Sequence, residues 1–263
     1  MKYIATISFG KDSTTMCDLL LKNGYPVDYI VFNDTLMEFP DMYKYKKRIE
    51  EYFKSRYGKE IITTKPDKTF EELVFGIIRQ KGAEREGYIR GVPNLMAGFC
   101  DWRRDSKMAP MNKFLKDHKL VTQYVGFTLG ENRHIDDTES VKYKFPLRDD
   151  FRMAETDCQK YLLEQEMENP LYRLFTRTGC AICPAQSDRA WFEVYKHYPD
   201  TWEYMRWIEK RLFSYIGMGY DVVNPYWFSG KRRIEDMENQ FKKETTSLFD
   251  FSDEPLKDCF CKI

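Results

Sequence analysis

The sequence predicts an α/β fold, in which a parallel sheet carries helices on both faces and a mainly helical, cysteine-bearing part follows. Strand and helix signals alternate through the first half of the chain. The runs assigned to strands are short, apolar and partly β-branched, which is typical of buried strands. Strand–helix–strand alternation favours a parallel sheet, whose ligand lies at the carboxyl ends of the strands.

Four strands are predicted in the first half of the chain, at residues 3–7, 27–32, 60–64 and 121–125. After the first strand, Met16, Leu19 and Leu20 fall on one face of a helix, and Gly24 suits its C-terminal cap. A charged helix is predicted from position 40 or 41 to about position 57, because Pro favours the first turn and Gly58 is a stop signal.

The second half contains helical signals without alternating strands. Helices are predicted at residues 155–168, at 188–196 with Ser187 as the cap, and from Asp200 to about residue 215. Asp200 with Glu203 resembles a capping box for the last of these. Residues 180–186 are predicted to form a loop, and a domain boundary is expected near residue 150.

Composition excludes several functional classes. The 263 residues include 42 Lys plus Arg and 42 Asp plus Glu, so the formal net charge is zero. This balance argues against nucleic-acid binding through the overall field, although it leaves a local basic patch open. No apolar run approaches the roughly 18 residues of a membrane-spanning helix, and the start lacks a cleavage site of the secretory type. We therefore expect a cytoplasmic protein without a membrane partner.

The loop after the first strand has the residues of an anion site. It consists of Ser8, Phe9, Gly10, Lys11, Asp12 and Ser13. The amino end of the following helix offers unpaired N–H groups and a partial positive charge, and Lys11 adds a full charge. Gly10 permits a tight turn, and Asp12 indicates either a bound magnesium ion or a helix cap. The alternative is a capped helix start with a surface lysine.

This loop resembles the PP-loop, SGGKDS, of the ATP pyrophosphatase and phosphoadenosine phosphosulfate (PAPS) reductase superfamily, with Phe9 where the family usually has Gly. The segment DTLMEFPDMY at residues 34–43 is similar to the family's D-T-G-x-x-F-P-E-x-Y, with Leu36 in place of Gly. The segment GFTLGENR at residues 126–133 resembles G-x-x-x-x-E-x-x-R, with one residue fewer before Arg133. Since glycine tolerates a positive φ, the first two substitutions bear on the loop geometry.

The resemblance implies a Rossmann-like fold of the adenine nucleotide alpha hydrolase type. It makes residues 1–150 a nucleotide-binding domain and residues 151–263 a helical region with a Cys-x-x-Cys loop. It implies that the nucleotide contacts Ser8, Phe9, Gly10, Lys11, Asp12, Ser13, Asp34, Gly126 and Arg133. For Asp34, the alternative is a structural role at the entry to a helix.

Seven cysteines in a cytosolic protein are expected to be metal ligands, redox groups or core residues rather than structural disulfides. Cys180 and Cys183 form a Cys-x-x-Cys before Pro, a spacing that suits one metal ion or cluster. With Cys100, they resemble the cluster-binding pattern of iron–sulfur adenosine phosphosulfate reductases and of cluster-dependent thiolation enzymes. That resemblance implies a 4Fe-4S cluster, while zinc and metal-free thiols stay open as alternatives.

One cysteine of the family pattern is missing, because Phe99 stands beside Cys100. Either the cluster has an open iron, or a fourth thiolate comes from one of the remaining cysteines, which are Cys17, Cys158, Cys259 and Cys261. Cys17 and Cys158 are most simply core residues. Cys261 is a candidate nucleophile at the C-terminus, as in PAPS reductases, and an exposed tail thiol is the alternative.

Lys11 separates the two reactions that the resemblance suggests. ATP carries a pyrophosphate leaving group, whose developing charge a lysine and magnesium can neutralise. A sulfonucleotide lacks the β-phosphate, and its reductases usually lose this lysine. We therefore expect an ATP-dependent enzyme that adenylates a substrate in sulfur transfer, with Lys11, Asp12 and Cys261 as catalytic residues. A sulfonucleotide reductase and a non-catalytic subunit of a complex are the alternatives.

The expected partners follow from this reaction. They are an adenine nucleotide, a sulfur donor protein, a nucleic acid or small molecule as acceptor, and a second copy of the chain in a homodimer.

Overall fold

The structure is a computed structural model that describes residues 1–79, 81–82, 84–93 and 100–244. Within this part, the chain forms two compact units. Unit 1 contains residues 1–66 and 106–179, and unit 2 contains the described residues of the ranges 67–105 and 180–244. The boundary near residue 150 stays a prediction, since compactness alone does not show which part of a chain folds independently.

The strands are β1 (Lys2–Thr6), β2 (Tyr29–Asn33), β3 (Ile61–Thr64), β4 (Ile89–Gly91), β5 (Val121–Tyr124), β6 (Val141–Lys144) and β7 (Val222–Asn224). In the described part of unit 1, a parallel sheet has the order β3-β2-β1-β5-β6. The carboxyl ends of β1, β2 and β5 therefore lie side by side. This is the edge at which ligands of such sheets bind.

The α-helices are α1 (Lys11–Lys22), α2 (Pro40–Tyr57), α3 (Phe70–Val74), α4 (Asp101–Arg103), α5 (Ala109–Lys116), α6 (Pro146–Asp149), α7 (Glu155–Glu164), α8 (Asp188–His197), α9 (Pro199–Gly217) and α10 (Ile234–Glu244). A π-helical turn at Arg104–Met108 precedes α5, and a 3₁₀ turn covers Pro170–Arg173. No helix in the described ranges is long and apolar enough to cross a membrane.

Helices cover both faces of the sheet, as predicted. On one face, Met111 of α5 packs against a cluster formed by Ile4, Val31, Val121 and Val141 of four strands. On the other face, the ring of Phe32 lies 4.8 Å from that of Phe9. The Phe9 ring in turn contacts Tyr45 of α2, with 6.4 Å between centroids. Apolar side chains on both faces thus form the core of unit 1.

The sequence located several elements correctly. The predicted charged helix is α2, and Gly58 ends it in the left-handed conformation at φ 63°. The Ser187 side chain accepts the N–H of Ala190, which confirms it as the cap of α8. The four predicted strands are β1, β2, β3 and β5, each displaced by no more than about two residues.

Several elements differ from the prediction. The capping box predicted at Asp200 is wrong, because α9 begins one residue earlier, at Pro199. The residue at the N-cap is Tyr198, whose side chain makes no capping hydrogen bond. The helix predicted to reach residue 168 ends at Glu164. Strand β6 was not predicted, because its sequence contains no apolar run. Only its first residue is buried, and the other three are more exposed.

Unit 2 is mainly helical and contains a short parallel pair formed by β4 and β7. Gly91 of β4 has φ 78° and lies directly against the backbone of Asn224, so that a Cβ there would overlap the Asn224 carbonyl. Aromatic rings form its core: Phe70 contacts Trp102 at 5.2 Å and stacks on Trp227 at 6.1 Å.

Candidate functional site

The loop between β1 and α1 is closed by its own hydroxyl groups. Ser13 Oγ accepts the backbone N–H of Ser8 at 3.0 Å and lies 3.0 Å from Ser8 Oγ. Gly10 is extended, with φ −73° and ψ 163°, and α1 begins at the next residue. The loop therefore presents the amino end of a twelve-residue helix at the carboxyl end of β1.

Phe9 occupies the left-handed region of the backbone, with φ 57°. Its side chain is fully buried in the core described above, and its carbonyl accepts the Nδ2–H of Asn169 at 3.0 Å. Ring burial and this hydrogen bond offset the steric cost of a side chain at positive φ. The phenyl ring therefore lies in the core and leaves the loop in the shape that a glycine would permit.

Lys11 is the cation of the loop. Its side chain is only 10% exposed, and its Nζ lies 2.7 Å from Glu155 Oε2 and 3.6 Å from Asp12 Oδ1. Burial lowers the pKa of the Lys11 ammonium, but the neighbouring Asp12, Tyr172 and Glu155 outweigh burial and leave that pKa above its ordinary value. Lys11 is therefore a fixed positive charge at neutral pH.

Tyr172, in the 3₁₀ turn of unit 1, contacts the amino end of α1. Its hydroxyl accepts the backbone N–H of Lys11 at 2.9 Å and lies 3.4 Å from Thr178 Oγ1. A Cβ on Gly10 would stand 3.2 Å from Thr178 Oγ1 and 3.4 Å from the Tyr172 hydroxyl oxygen. Gly10 is therefore the residue type that this close packing accepts without adjustment.

Asp34 follows β2 and holds the next turn. Its Oδ1 accepts the backbone N–H of Leu36 at 2.8 Å and the hydroxyl of Tyr43 at 2.9 Å. Leu36, like Phe9, has a positive φ, here 59°. Burial and the bond to Asp34 raise the pKa of Tyr43, which therefore stays a donor. These contacts match the structural role that the sequence left open for Asp34.

Glu38 lies in the same turn and was not singled out by the sequence. Its Oε1 accepts the hydroxyl of Thr35 at 2.8 Å. Burial raises the pKa of Glu38, while the charge of Lys107 acts in the opposite direction. Two carboxyl groups, of Asp34 and Glu38, thus stand at the carboxyl end of β2.

Gly126 follows β5 and lies against the start of α1. A Cβ there would stand 3.1 Å from the Cα and 3.2 Å from the N of Ser13. The predicted residues Ser13 and Gly126, 113 positions apart in sequence, are therefore in direct contact. Arg133 lies further along this segment, where its Nε is 3.7 Å from Glu131 Oε1 and its carbonyl accepts a bond from Arg148.

The predicted metal ligands belong to unit 2. Cys183 donates its backbone N–H to the carbonyl of Cys180 at 3.0 Å, so the Cys-x-x-Cys is a turn. Burial, with a smaller contribution from the nearby Cys183 thiol, raises the pKa of the Cys100 thiol to about 11. Cys17 and Cys158 are buried core residues, as expected.

No group of three or more His, Cys, Asp or Glu side chains among the described residues is arranged to hold a metal ion. Cys259 and Cys261 lie outside the described residues. The cluster and its zinc alternative stay predictions, as does the role of Cys261.

The model of the family described as "Phosphoadenosine phosphosulfate reductase domain" matches residues 2–186 of the chain. This range includes the loop of residues 8–13, the Asp34 turn, Gly126 and the cysteine turn. The chain belongs to this family. Membership covers the sheet of unit 1 and confirms the resemblance found in the motifs.

Two uncharacterised proteins of Methanocaldococcus jannaschii are similar to this PAPS reductase domain protein. One is 24% identical over 211 residues and the other 27% identical over 239 residues, covering 76% and 84% of the chain. The chain spans 40% and 50% of the length of these relatives. A crystal structure of PAPS reductase from Candida auris with phosphate has a TM-score of 0.48 and 17% identity, covering 68% of this chain and 81% of that one.

The loop of this PAPS reductase domain protein has donors that fit an anionic ligand. The Lys11 ammonium donates a hydrogen bond to Glu155, and the Lys11 backbone N–H donates one to the Tyr172 hydroxyl. The carboxylate of Asp12 is buried beside them, and one carboxylate together with substrate phosphates is a donor set that magnesium accepts. Asp12 is therefore the residue that would hold the metal.

Besides Glu38, three side chains that lie around the loop of residues 8–13 escaped the sequence analysis: Glu155, Tyr172 and Thr178. Each is more than 140 positions from the loop in sequence, and none lies in a motif. The packing of α7 and of the Pro170–Arg173 turn brings them there, so only the fold could identify them.

Proposed function

We propose that this PAPS reductase domain protein binds ATP at the loop of residues 8–13 and cleaves it between the α- and β-phosphates. The cleavage adenylates a substrate in a sulfur-transfer reaction. The observation that carries the proposal is the buried Lys11 ammonium at the amino end of α1, beside the carboxylate of Asp12. Such a charge is suited to a leaving pyrophosphate, because negative charge develops there as the α–β bond breaks.

A sulfonucleotide would use this site less well. PAPS and adenosine phosphosulfate carry a single sulfate group where ATP carries its β- and γ-phosphates, so they place less negative charge against the lysine. The family name alone does not decide between the reactions, since one fold hosts several chemistries. The retained Lys-Asp-Ser of residues 11–13 therefore favours ATP.

The chain's own groups have distinct tasks in this proposal. The amides at the start of α1 and the Ser8 and Ser13 hydroxyls bind phosphate oxygens, and Lys11 neutralises the leaving group. Gly126 lets the segment after β5 approach Ser13, where a Cβ would intervene. A magnesium ion bound by Asp12 would supply further charge neutralisation at the phosphates. Arg133 and Asp34 are predicted nucleotide contacts.

The bond changes balance in two steps. An oxygen of the acceptor attacks the α-phosphorus, and pyrophosphate leaves. A hydrosulfide ion supplied by a donor then attacks the activated carbon, a C–S bond forms, and AMP leaves with that oxygen. The donor is a separate protein in this proposal, the acceptor is a nucleic acid or a small molecule, and the enzyme acts in the cytoplasm as a homodimer.

Product analysis tests the proposal. The purified chain is incubated with ATP and magnesium, where water takes the place of the acceptor, and with PAPS and a thiol donor in a parallel sample. We expect slow formation of AMP and pyrophosphate, reduced about 10²- to 10³-fold in Lys11→Met. Lys22→Met, which removes the same charge from the other end of α1, serves as the control.

Two outcomes contradict the proposal. Sulfite release from PAPS without ATP turnover would assign the chain to the sulfonucleotide reductases. Tight nucleotide binding, with turnover that begins only after a partner protein is added, would make the chain a subunit of a larger complex.

A further inference from the structure

Glu155 is held beside Lys11 by the packing of α7 on α1. Thr15 donates its hydroxyl to the carbonyl of Cys158 at 3.2 Å, and Tyr161 donates its hydroxyl to the buried Asp18 at 2.5 Å. These two contacts join successive turns of the two helices. Glu155, the first residue of α7, is thereby placed against the first residue of α1.

The two partners in this ion pair differ in their freedom to move. The Lys11 side chain is 10% exposed, whereas the Glu155 side chain is 48% exposed. Glu155 can therefore turn into solvent with little loss of packing, and Lys11 cannot. A phosphate that reaches Lys11 meets an anionic oxygen already at 2.7 Å from the ammonium.

We propose that the Glu155 carboxylate and the phosphates of the ligand bind the Lys11 ammonium in turn. The carboxylate leaves Lys11 when the outer phosphates of a nucleotide bind, and it returns as pyrophosphate leaves. The proposal rests on the proposed function, because it concerns the same loop. It makes Glu155 a residue that sets affinity for polyphosphates and hastens release of the product. It assigns no bond-making step to Glu155.

Two consequences follow from competition for one ammonium group. A ligand whose phosphates reach Lys11 loses part of its binding free energy to the displaced ion pair. A ligand that ends at the α-phosphate leaves the pair in place and loses nothing. Glu155 therefore lowers the affinity for ATP and pyrophosphate, but not that for AMP.

Equilibrium binding of ATP, pyrophosphate and AMP with magnesium tests this proposal. In Glu155→Gln we expect the Kd for ATP and pyrophosphate to fall about two- to fivefold, since partly exposed ion pairs change an equilibrium constant by no more than roughly fivefold. The Kd for AMP stays unchanged, and pyrophosphate becomes a stronger product inhibitor. Glu164→Gln, at the other end of α7 and paired with Lys160 at 3.9 Å, has no effect.

A double mutant locates the effect at Lys11. In a Lys11→Met background, Glu155→Gln is expected to change no affinity, because the competed charge is gone. An equal gain in that background, or weaker ATP binding by a folded Glu155→Gln protein, would overturn the inference and leave the proposed function standing. If wild type binds neither ATP nor pyrophosphate, the proposed function fails, and the inference fails with it.

Discussion

Phe9 and Leu36 share the left-handed backbone conformation, with φ of 57° and 59°, at the carboxyl ends of the neighbouring strands β1 and β2. Both stand where the PP-loop superfamily usually has glycine. The backbone geometry that glycine permits is thus kept, at a steric cost of about 1–2 kcal/mol for each side chain. Phe9 offsets this cost by burial, whereas Leu36 is 38% exposed and recovers less.

Leu36→Gly is expected to raise the free energy of unfolding by about 0.5 kcal/mol, because relief of the strain exceeds the added entropy of the unfolded chain. Urea denaturation measures the change. Leu36→Ala keeps the strain and should bring no gain. Phe9→Gly should instead destabilise by about 3 kcal/mol, because it removes a buried aromatic ring. A loss of stability in Leu36→Gly would show that the turn is not strained.

Gly126→Ala should weaken ATP binding at least tenfold and destabilise the chain by about 1–2 kcal/mol. Its Cβ would press on backbone atoms of Ser13 and Asp12, which cannot rotate away as a side chain can. Calorimetric titration with ATP and magnesium checks the affinity. Gly217→Ala is the matched control, since its Cβ would meet no atom within 4 Å. An unchanged affinity of Gly126→Ala for ATP would show that this glycine does not form part of the nucleotide site.

Asp18 is a fully buried carboxylate of α1 that accepts the hydroxyls of Tyr57 at 2.8 Å and Tyr161 at 2.5 Å. Tyr161→Phe should lower the free energy of unfolding by about 1–3 kcal/mol, because a buried charge loses a donor. Tyr220→Phe, at an exposed ring, should be neutral. Thermal unfolding of the two variants gives the comparison, and equal stability would assign Asp18 other partners of similar strength.

Alkaline pH should destabilise the fold through these tyrosines. Burial, with the bond to Asp18, raises the pKa of Tyr161 and Tyr57 above the ordinary value of 10.0. Above about pH 10, the folded chain therefore keeps protons that the unfolded chain releases. The contribution of these tyrosines to the free energy of unfolding is fully present below about pH 10 and decreases as the pH rises above it. The slope is about 1.4 kcal/mol per pH unit for each such group. Tyr161→Phe should reduce this slope in urea titrations between pH 9 and 11, and an unchanged slope would contradict the assignment.

The predicted cluster has a direct test, which is metal analysis of protein purified without oxygen. The cysteine pattern predicts a brown protein with iron and acid-labile sulfide, which Cys180→Ser or Cys183→Ser should lose. Cys17→Ser, at a buried core position, should retain the metal. Colourless protein with stoichiometric zinc would rule out the cluster in favour of the zinc alternative, and protein without metal would leave the cysteines as thiols.

The sequence located what lies within one loop and missed what tertiary packing adds. Alternating strand and helix signals predicted four of the five strands in the sheet of unit 1. Local motifs singled out Lys11, Asp34 and Gly126, whose roles in nucleotide binding stay predictions. No local pattern could place Glu155 or Tyr172 beside Lys11, because helix packing determines which distant side chains meet. The capping box at Asp200 failed for a local reason instead: Pro199 supplies the first turn of α9 one residue earlier.

The most direct test of the account is a crystal structure of the chain with magnesium and α,β-methylene-ATP, which cannot be cleaved at the bond in question. The account predicts the phosphates at the amino end of α1, in contact with Lys11, and the carboxylate of Glu155 turned away from the ammonium. A nucleotide bound elsewhere, with Glu155 still paired to Lys11 and the loop free of phosphate, would contradict it.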